Sequence, residues 1–329
     1  MGVKLKDIVV SHPISISELR TKQIAIDAYN TIYQFLTTIR GYDGFYLSDN
    51  ENNITSHLAG LFYRTSYIIM NSIFPVYIFD GKPNPLKEAT LESRYHMREK
   101  AMSEWKTALA EGDMDRAYKK ARQSTRITSE IVESSKELLS YMGVPFLTAN
   151  SDGEALSAYL SRKGAVWASA SQDYDSLIYN ATRIVRNFAV ERKKGGNTVD
   201  FEIIYTDEVL KNLGITHEQL IDLAILVGTD FNEGVMGIGP KKALSLIKKF
   251  GRIEDIEGID ISSIPYKEVR EIFKSPNGNE FDSFNLKWGK VDKEGLLHFL
   301  CDKHNFSKDR IKNVIDKLPS SKQSNLDSF

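Results

Sequence analysis

The chain has 329 residues, 41% of them hydrophobic, which is enough to bury a sizeable core in one large domain or two closely joined ones. Its formal net charge of −1 gives no hint of nucleic acid, so any such partner must be met by local basic patches. The single cysteine, Cys301, excludes an internal disulfide, the scattered histidines argue against a histidine-based zinc site, and no apolar run reaches the length of a membrane span.

Two short apolar stretches in the first part of the chain each end in an aspartate. Residues 22–27 end at Asp27, residues 75–80 end at Asp80, and helix-like sequence follows each. Strands that alternate with helices predict an α/β fold with a mostly parallel central sheet flanked by helices. Ligand sites in such sheets lie outside the carboxyl ends of the strands, so the two aspartates are candidate ligands.

Residues 86–142 are highly charged and predicted to be helical. Lys87, Arg94 and Arg98 are spaced by seven and four residues, so they can share one face of a helix. Five more basic residues follow with no acid among them: Arg116, Lys119, Lys120, Arg122 and Arg126. Because both groups come after Asp80, we expect a cationic arch over the strand ends, which suits a polyanionic substrate. An ordinary solvated helical face is the alternative.

Two pairs of acidic residues, each separated by one residue, occur in the middle of the chain. Asp152 and Glu154 open a helix-like run, and Asp173 and Asp175 follow a buried strand at residues 166–171. Alternate residues of an extended chain point the same way, so the second pair can face one spot. Hard divalent cations take oxygen ligands, and the sequence therefore predicts a magnesium or manganese site. Acids that simply face water are the alternative.

The most specific local pattern is a glycine-rich hairpin at residues 228–244. A helix ends, Asp230 emerges, and Pro240 begins a new helix after the hairpin. Free backbone N–H groups at a helix N-terminus bind phosphate, although a helical hairpin with a solvated lysine face would look similar. The candidate phosphate-binding residues are Gly237, Gly239, Lys241, Lys242, Lys248 and Lys249. The chain has no G-x-x-x-x-G-K-[ST] loop, which argues against a nucleotide triphosphatase.

The C-terminal third contains weaker patterns. Residues 183–190 are predicted to form a strand, residues 253–285 to be irregular, and residues 295–300 and 309–318 to form short helices. The polar tail from residue 319 onwards is predicted to be disordered until it meets a partner.

Five segments, FDGKPNP, SDGEA, ASASQDYDSL, LVGTDFN and GVMGIGPKKAL, resemble the signature segments of the structure-specific flap endonucleases of the 5′-nuclease superfamily. The resemblance begins at Met1-Gly2-Val3 and covers nearly the whole chain, and the lack of a long basic tail is similar to the archaeal form. It implies five segments: an N-terminal nuclease segment (1–98), an arch (99–115), an internal nuclease segment with a helix–two-turn–helix (116–256), a C-terminal helical region (257–321) and a tail (322–329).

The resemblance also implies roles for particular residues. The family's metal-binding carboxylates fall on Asp27, Asp80, Asp152, Glu154, Asp173, Asp175 and Asp230. They imply two Mg²⁺ ions, which Mn²⁺ can replace. The family usually has Glu at the position of Asp152, so contact with metal there requires a local shift or a bridging water. The arch bases fall on Lys87 and Arg94, and the base-stacking tyrosine falls on Tyr33.

The remaining implications concern partners. The helix–two-turn–helix implies a grip on duplex DNA by its phosphates with a K⁺ ion. The tail residues Gln323, Leu326 and Phe329 resemble a sliding-clamp-binding peptide, with one aromatic where two are usual. A monomer acting on 5′-flap DNA is expected, in the nucleoid of the cytoplasm or in the nucleus of a eukaryote.

The implied function is a 5′-flap endonuclease, with 5′–3′ exonuclease activity, that acts in replication and repair by two-metal hydrolysis. Two other classes stay open from the residues alone. A two-metal phosphatase would explain the acids but not the basic arch. A non-catalytic DNA-junction scaffold bound to the clamp would explain the basic patches but not the full acidic set. Within the class, an exonuclease or repair nuclease with a different junction preference is a further alternative.

Overall fold

The computed structural model describes residues 2–188, 193–194, 197–198, 201–274 and 286–319. The strands are β1 His12–Ile14, β2 Gln23–Asp27, β3 Phe74–Phe79, β4 Phe146–Thr148, β5 Ala168–Ala170, β6 Arg183–Arg186, β7 Lys193–Lys194, β8 Asn197–Thr198 and β9 Phe201–Tyr205. The helices are α1 Ala28–Thr38, α2 Ser56–Met70, α3 Glu88–Glu111, α4 Met114–Gln123, α5 Ser129–Tyr141, α6 Gly153–Arg162, α7 Asp175–Ile178, α8 Thr206–Leu213, α9 His217–Val227, α10 Pro240–Phe250, α11 Tyr266–Lys274, α12 Lys293–Leu297 and α13 Lys308–Ile315. Within these ranges, no helix combines the length and the apolar character that crossing a membrane requires.

Seven strands form one sheet in the order β1-β9-β6-β5-β2-β3-β4. Strands β2 to β6 pair in parallel, whereas β9 is antiparallel to both β1 and β6. This confirms the predicted α/β fold with a mostly parallel sheet. In the registers, Asp27 lies opposite Ile78, and Ile26 lies opposite Ala170. The carboxyl ends of β2, β3 and β5 therefore lie side by side, as the position of a ligand site requires.

Helices cover both faces of the sheet because the central strands are apolar on both sides. On β2, Ile24 and Ile26 pack into the cluster that contains Phe35 of α1, while Ala25 between them packs with Leu156 of α6 on the other face. Such continuous burial is typical of parallel strands. It fixes the strand ends, and the residues that follow them, in a rigid layer.

Three local predictions differ from the structure. Strand β5 ends at Ala170, so Asp173 lies in a bend and Asp175 begins α7. The expectation that an extended chain aligns this pair is therefore wrong, although a turn brings the pair to the same edge. Strand β6 ends at Arg186 rather than residue 190. The region expected to be irregular contains the helix α11. Pro265 directly precedes this helix, and because the first N–H groups of a helix make no helical hydrogen bond, a proline is tolerated there.

Helices α3 and α4 form a hairpin above the carboxyl ends, and α3 runs unbroken through the boundary expected between residues 98 and 99. Three members of the second basic group, which has no acid within its own stretch, are paired with acids of α3. The ion pairs are Arg116–Glu111 (2.9 Å), Lys120–Glu104 and Arg126–Glu99.

Candidate active site

The ends of β2 and β3 supply the first two acids. Asp27 is the last residue of β2 and the N-cap of α1, where its Oδ1 accepts a hydrogen bond from the backbone N–H of Asn30 at 2.9 Å. Asp80 directly follows β3, and its Oδ1 accepts from the N–H of Gly153 at 2.7 Å. Each carboxylate is thus held by a backbone donor at the start of a helix, a position that favours negative charge.

The start of α6 supplies the next two. Asp152 occupies the N-cap position, but its side chain makes no capping hydrogen bond. Instead, Oδ1 accepts from Nζ of Lys87 at 2.6 Å, and Oδ2 accepts from the hydroxyl of Tyr179 at 2.7 Å. Glu154, in the first turn of the helix, accepts a hydrogen bond from Ser171 Oγ at 2.5 Å.

The turn after β5 supplies the third pair. Asp175 is buried, and its Oδ1 accepts from the N–H of Val3 at 2.9 Å. A Cβ on Gly2 would lie 2.4 Å from that carboxylate, so the N-terminal segment can pass there only with glycine. Asp173 accepts from Nδ2 of Asn30 at 3.1 Å. The extreme N-terminus and α1 therefore help to fix this pair.

The loop after α9 supplies Asp230, and the two arch bases reach it. Arg94 Nη2 lies 2.6 Å from Asp230 Oδ1, and Lys87 Nζ lies 3.9 Å from Oδ2. Lys87 also lies 4.8 Å from the centre of the Phe231 ring. Burial alone would lower the pKa of Lys87, but the charge of Asp152, followed by that of Asp230, outweighs burial and raises it. Lys87 therefore stays charged within the acidic cluster.

Burial and mutual repulsion raise the pKa of several of these acids. Burial, and then the charge of Asp80, raises the pKa of Asp27 to about 8. Burial, and then Asp230, raises the pKa of Asp175 to about 7. The pKa of Glu154 is raised well above its usual value, by burial and then by Asp175. The pKa of Asp80 is raised as well, because protein excludes water from its carboxyl even though part of the residue reaches solvent. Cations between the acids would relieve this repulsion.

No three His, Cys, Asp or Glu side chains in the described ranges form a group that could hold a metal ion as they stand. Each of the seven carboxylates already accepts a hydrogen bond from a protein donor, and the two arch bases are among these donors. The chemistry of the set nevertheless fits a hard divalent cation, since every candidate ligand is a carboxylate oxygen. A metal ion at this site would compete first with Lys87 and Arg94, because these two donors carry positive charge.

Tyr33 lies on α1, half-buried, beside the arch. The guanidinium of Arg98 lies 6.0 Å from the centre of its ring, within cation–π range. Tyr33 and Asp27 are carried by the same short segment of β2 and α1. Tyr33 lies in the second turn of α1, which begins directly after Asp27, and its role in base stacking stays a prediction.

The glycine-rich hairpin joins α9 to α10 and is largely exposed. Gly237 has a φ of +77°, which favours glycine, and Gly239 is an N-cap without a side chain to satisfy the first N–H groups of α10. Lys241 and Lys242 are exposed in the first turn. In the described ranges, neither they nor the exposed Lys248 and Lys249 form an ion pair. The candidate clamp-binding residues Gln323, Leu326 and Phe329 lie outside the described residues.

Sequence reasoning missed several residues around the acids. Four of them donate hydrogen bonds to the carboxylates: Val3, Asn30, Ser171 and Tyr179. Gly2 leaves room for Asp175, and Phe231 packs against Lys87. For Asn30 the sequence carried a signal, because a residue three positions after an N-cap aspartate lies beside it. The other contacts join segments that are distant in the chain, and no local pattern predicts them.

Comparisons with known proteins agree with this arrangement. Residues 1–101 match the XPG N-terminal domain, and residues 143–230 match the XPG I-region. Flap endonuclease 1 of Pyrococcus abyssi is 46% identical over 347 aligned positions, which cover 100% of this chain and 98% of that protein. The enzyme of the same name from Methanobrevibacter smithii is also 46% identical, and the alignment covers 100% of both chains.

Solved structures show the same architecture. Flap endonuclease-1 from Methanococcus jannaschii superposes with a TM-score of 0.77 at 41% identity, over 96% of this chain and 98% of that one. The catalytic core of Rad2 in complex with DNA substrate has a TM-score of 0.75 at 23% identity and covers 97% of this chain and 100% of that one. The second likeness shows a shared fold only.

Proposed function

Because the chain belongs to the flap endonuclease 1 family, we propose that its seven acids and two arch bases cut DNA at the junction between a 5′ flap and the duplex. The chain is a flap endonuclease, a hydrolase of phosphodiester bonds that acts on DNA in replication and repair. We propose a separate role in this reaction for each of these residues. We also propose 5′–3′ exonuclease activity at the same site.

The observation that carries the proposal is the meeting of Lys87 and Arg94 with the acidic cluster. The two cations come from the arch hairpin, and the acids come from the ends of the parallel strands. A phosphodiester that entered between them would find cations on one side and the acidic cluster on the other. Such a site fits a phosphate group within a chain better than a neutral substrate.

Nucleases of this fold depend on metal ions in general. We propose two Mg²⁺ ions, replaceable by Mn²⁺, held by Asp27, Asp80, Asp152, Glu154, Asp173, Asp175 and Asp230. When bound, they would supply an activated water and stabilise the leaving 3′-oxygen. The residues of the chain do the rest. Lys87 and Arg94 neutralise charge that develops on the phosphate, and Tyr33 stacks on the base next to the scissile bond.

The glycine-rich hairpin is proposed to grip the duplex. Its free N–H groups and the exposed lysines Lys241 and Lys242 suit phosphate oxygens, and such contacts recognise the shape of DNA rather than its sequence. Gly237 and Gly239 let the DNA backbone approach closely. We also propose a K⁺ ion at this hairpin, where it would add positive charge for the DNA phosphates.

Two further proposals rest on the sequence alone. Gln323, Leu326 and Phe329 are spaced three residues apart, as anchors on one side of a short helical segment would be, so we propose that the tail at residues 322–329 binds a ring-shaped sliding clamp. Tethering raises the local concentration of enzyme on DNA, and the single aromatic makes the attachment weaker than a two-aromatic tail would give. We also propose that the nuclease acts as a monomer associated with the nucleoid.

The testing experiment compares labelled flap, nicked, blunt and single-stranded DNA in Mg²⁺, with and without the clamp. We expect the flap to be cut fastest and the truncation at residue 321 to lose only the stimulation by the clamp. Equal cleavage of all four substrates would contradict junction specificity. Equal stimulation of the truncated chain would contradict the tail assignment, and turnover of an aryl phosphate at the flap rate would favour a phosphatase.

A further inference from the structure

Among the seven candidate ligands, Asp152 is held in an unusual way. It stands at the N-cap of α6, where an aspartate side chain normally accepts a hydrogen bond from the helix. The bond is absent here, although N-capping typically contributes about 1 kcal/mol. Other contacts therefore hold this carboxylate away from the helix N-terminus.

Two donors supply those contacts, one on each oxygen. Lys87 donates to Oδ1 at 2.6 Å, and the hydroxyl of Tyr179 donates to Oδ2 at 2.7 Å. They differ in charge. A divalent cation that arrived at Oδ1 would repel the ammonium of Lys87, whereas the neutral hydroxyl of Tyr179 can keep its bond while the cation is present.

The position of Tyr179 is fixed by its surroundings. The residue is 2% exposed, its ring packs on Phe273 at 4.8 Å between centres, and its backbone N–H donates to the carbonyl of Asp175 at 2.9 Å. It follows α7 directly, and α7 begins with Asp175. One helical turn thus carries a candidate ligand at its start and the donor to Asp152 at its end.

We propose that Tyr179 is a positioning residue that holds Oδ2 of Asp152 and leaves Oδ1 free to exchange Lys87 for a divalent cation. The proposal rests on the metal site proposed above. It also gives a use to the shorter side chain at position 152. Because a glutamate side chain is longer by about 1.5 Å, we expect it to crowd the tyrosine hydroxyl that lies 2.7 Å from Oδ2 of Asp152.

The first test compares Tyr179→Phe with wild type and with Tyr77→Phe. Tyr77 is a matched control because it is also fully buried, but its hydroxyl bonds to Thr65 Oγ1 at 2.8 Å. We expect Tyr179→Phe to weaken Mn²⁺ binding about tenfold, measured by titration calorimetry without DNA. Tyr77→Phe should bind Mn²⁺ as wild type does. Unchanged Mn²⁺ affinity in Tyr179→Phe would overturn the proposal and leave the hydroxyl with a role in stability only.

A second test uses the length of the side chain. Asp152→Glu should weaken Mn²⁺ binding, and adding Tyr179→Phe should recover part of the loss because the hydroxyl no longer obstructs the longer acid. Losses that simply add would overturn the proposal.

Asp175→Asn, titrated with Mn²⁺ in the same series, distinguishes failure of the proposed metal site from failure of the role proposed for Tyr179. Retained Mn²⁺ affinity in Asp175→Asn would contradict the proposed metal site itself. A loss there with no change in Tyr179→Phe would contradict only the role of the tyrosine.

Discussion

The chain has two basic regions that use the same residue types in opposite ways. In the arch, Lys87 and Arg94 have side chains only 18% and 24% exposed, and each lies 2.6 Å from a carboxylate oxygen. In the hairpin, Lys241 and Lys242 are exposed, and no ion pair involves them in the part of the chain that the structure describes.

This difference explains how a chain of net charge −1 can both bind a polyanion and act on it. Unpaired surface lysines attract phosphates over a distance and bring no acid with them, so they suit binding. Cations held among acids attract little at long range but are already placed where charge changes during reaction, so they suit the chemical step. Local pairing, and not total charge, decides which role a lysine has.

The largest expected effect comes from removing an arch cation. Lys87→Ala and Arg94→Ala should each lower the single-turnover rate of flap cleavage by about 10²–10³-fold, because each removes charge that stabilises the transition state. The dissociation constant of the flap, measured in Ca²⁺, should change little. Lys82→Ala is the matched control, since that lysine is exposed on the same loop, and it should cut at the rate of wild type.

The contrast between arch and hairpin would be contradicted if Lys87→Ala lowered DNA affinity and cleavage rate together. Equal losses of both in Lys87→Ala would mean that the arch cation binds DNA in the ground state, as the hairpin lysines do. It would then be assigned to positioning of the DNA.

A smaller effect, on binding alone, is expected in the hairpin. Lys241→Ala combined with Lys242→Ala should weaken binding of every duplex sequence and reduce the slope of log affinity against log salt by about 2, one for each lost phosphate contact. The maximal single-turnover rate should stay near that of wild type. Lys308→Ala with Lys312→Ala removes two exposed lysines from α13 and serves as the control. An unchanged slope in the hairpin variant would mean that these lysines face only solvent.

The sequence predicted part of the difference between the arch and the hairpin. The strand ends at Asp27 and Asp80 follow from apolar runs that stop at an acid, and the start of α10 follows from Gly239 and Pro240. Such features are local, so periodicity and cap residues are enough to find them.

The rest depends on contacts between distant segments. The sequence positions of these residues did not reveal that Arg94 pairs with Asp230, 136 residues away, or that Tyr179 donates a hydrogen bond to Asp152. The pair Asp173 and Asp175 was assigned to one spot by an argument from extended geometry, whereas a bend and the first turn of α7 place it. The pairing of Arg116 and Lys120 in α4 was not foreseen for a related reason, since their acidic partners come from α3.

Metal affinity distinguishes the arch from the hairpin in the absence of DNA, although the expected change is modest. Lys87 occupies Oδ1 of Asp152 and therefore competes with any cation for that oxygen. Lys87→Ala should bind Mn²⁺ severalfold more tightly than wild type, because no ammonium then has to be displaced and the buried carboxylate is left without its cationic partner. Lys242→Ala removes a lysine that forms no ion pair in the described part of the chain, and it should leave Mn²⁺ affinity unchanged. The same Lys87→Ala protein should cut slowly, so a variant with tighter metal and slower chemistry would show that the lysine acts on the substrate. Weaker Mn²⁺ binding in Lys87→Ala would instead mean that the ammonium holds the acids in their binding arrangement, and the contrast between arch and hairpin would then rest on rates alone.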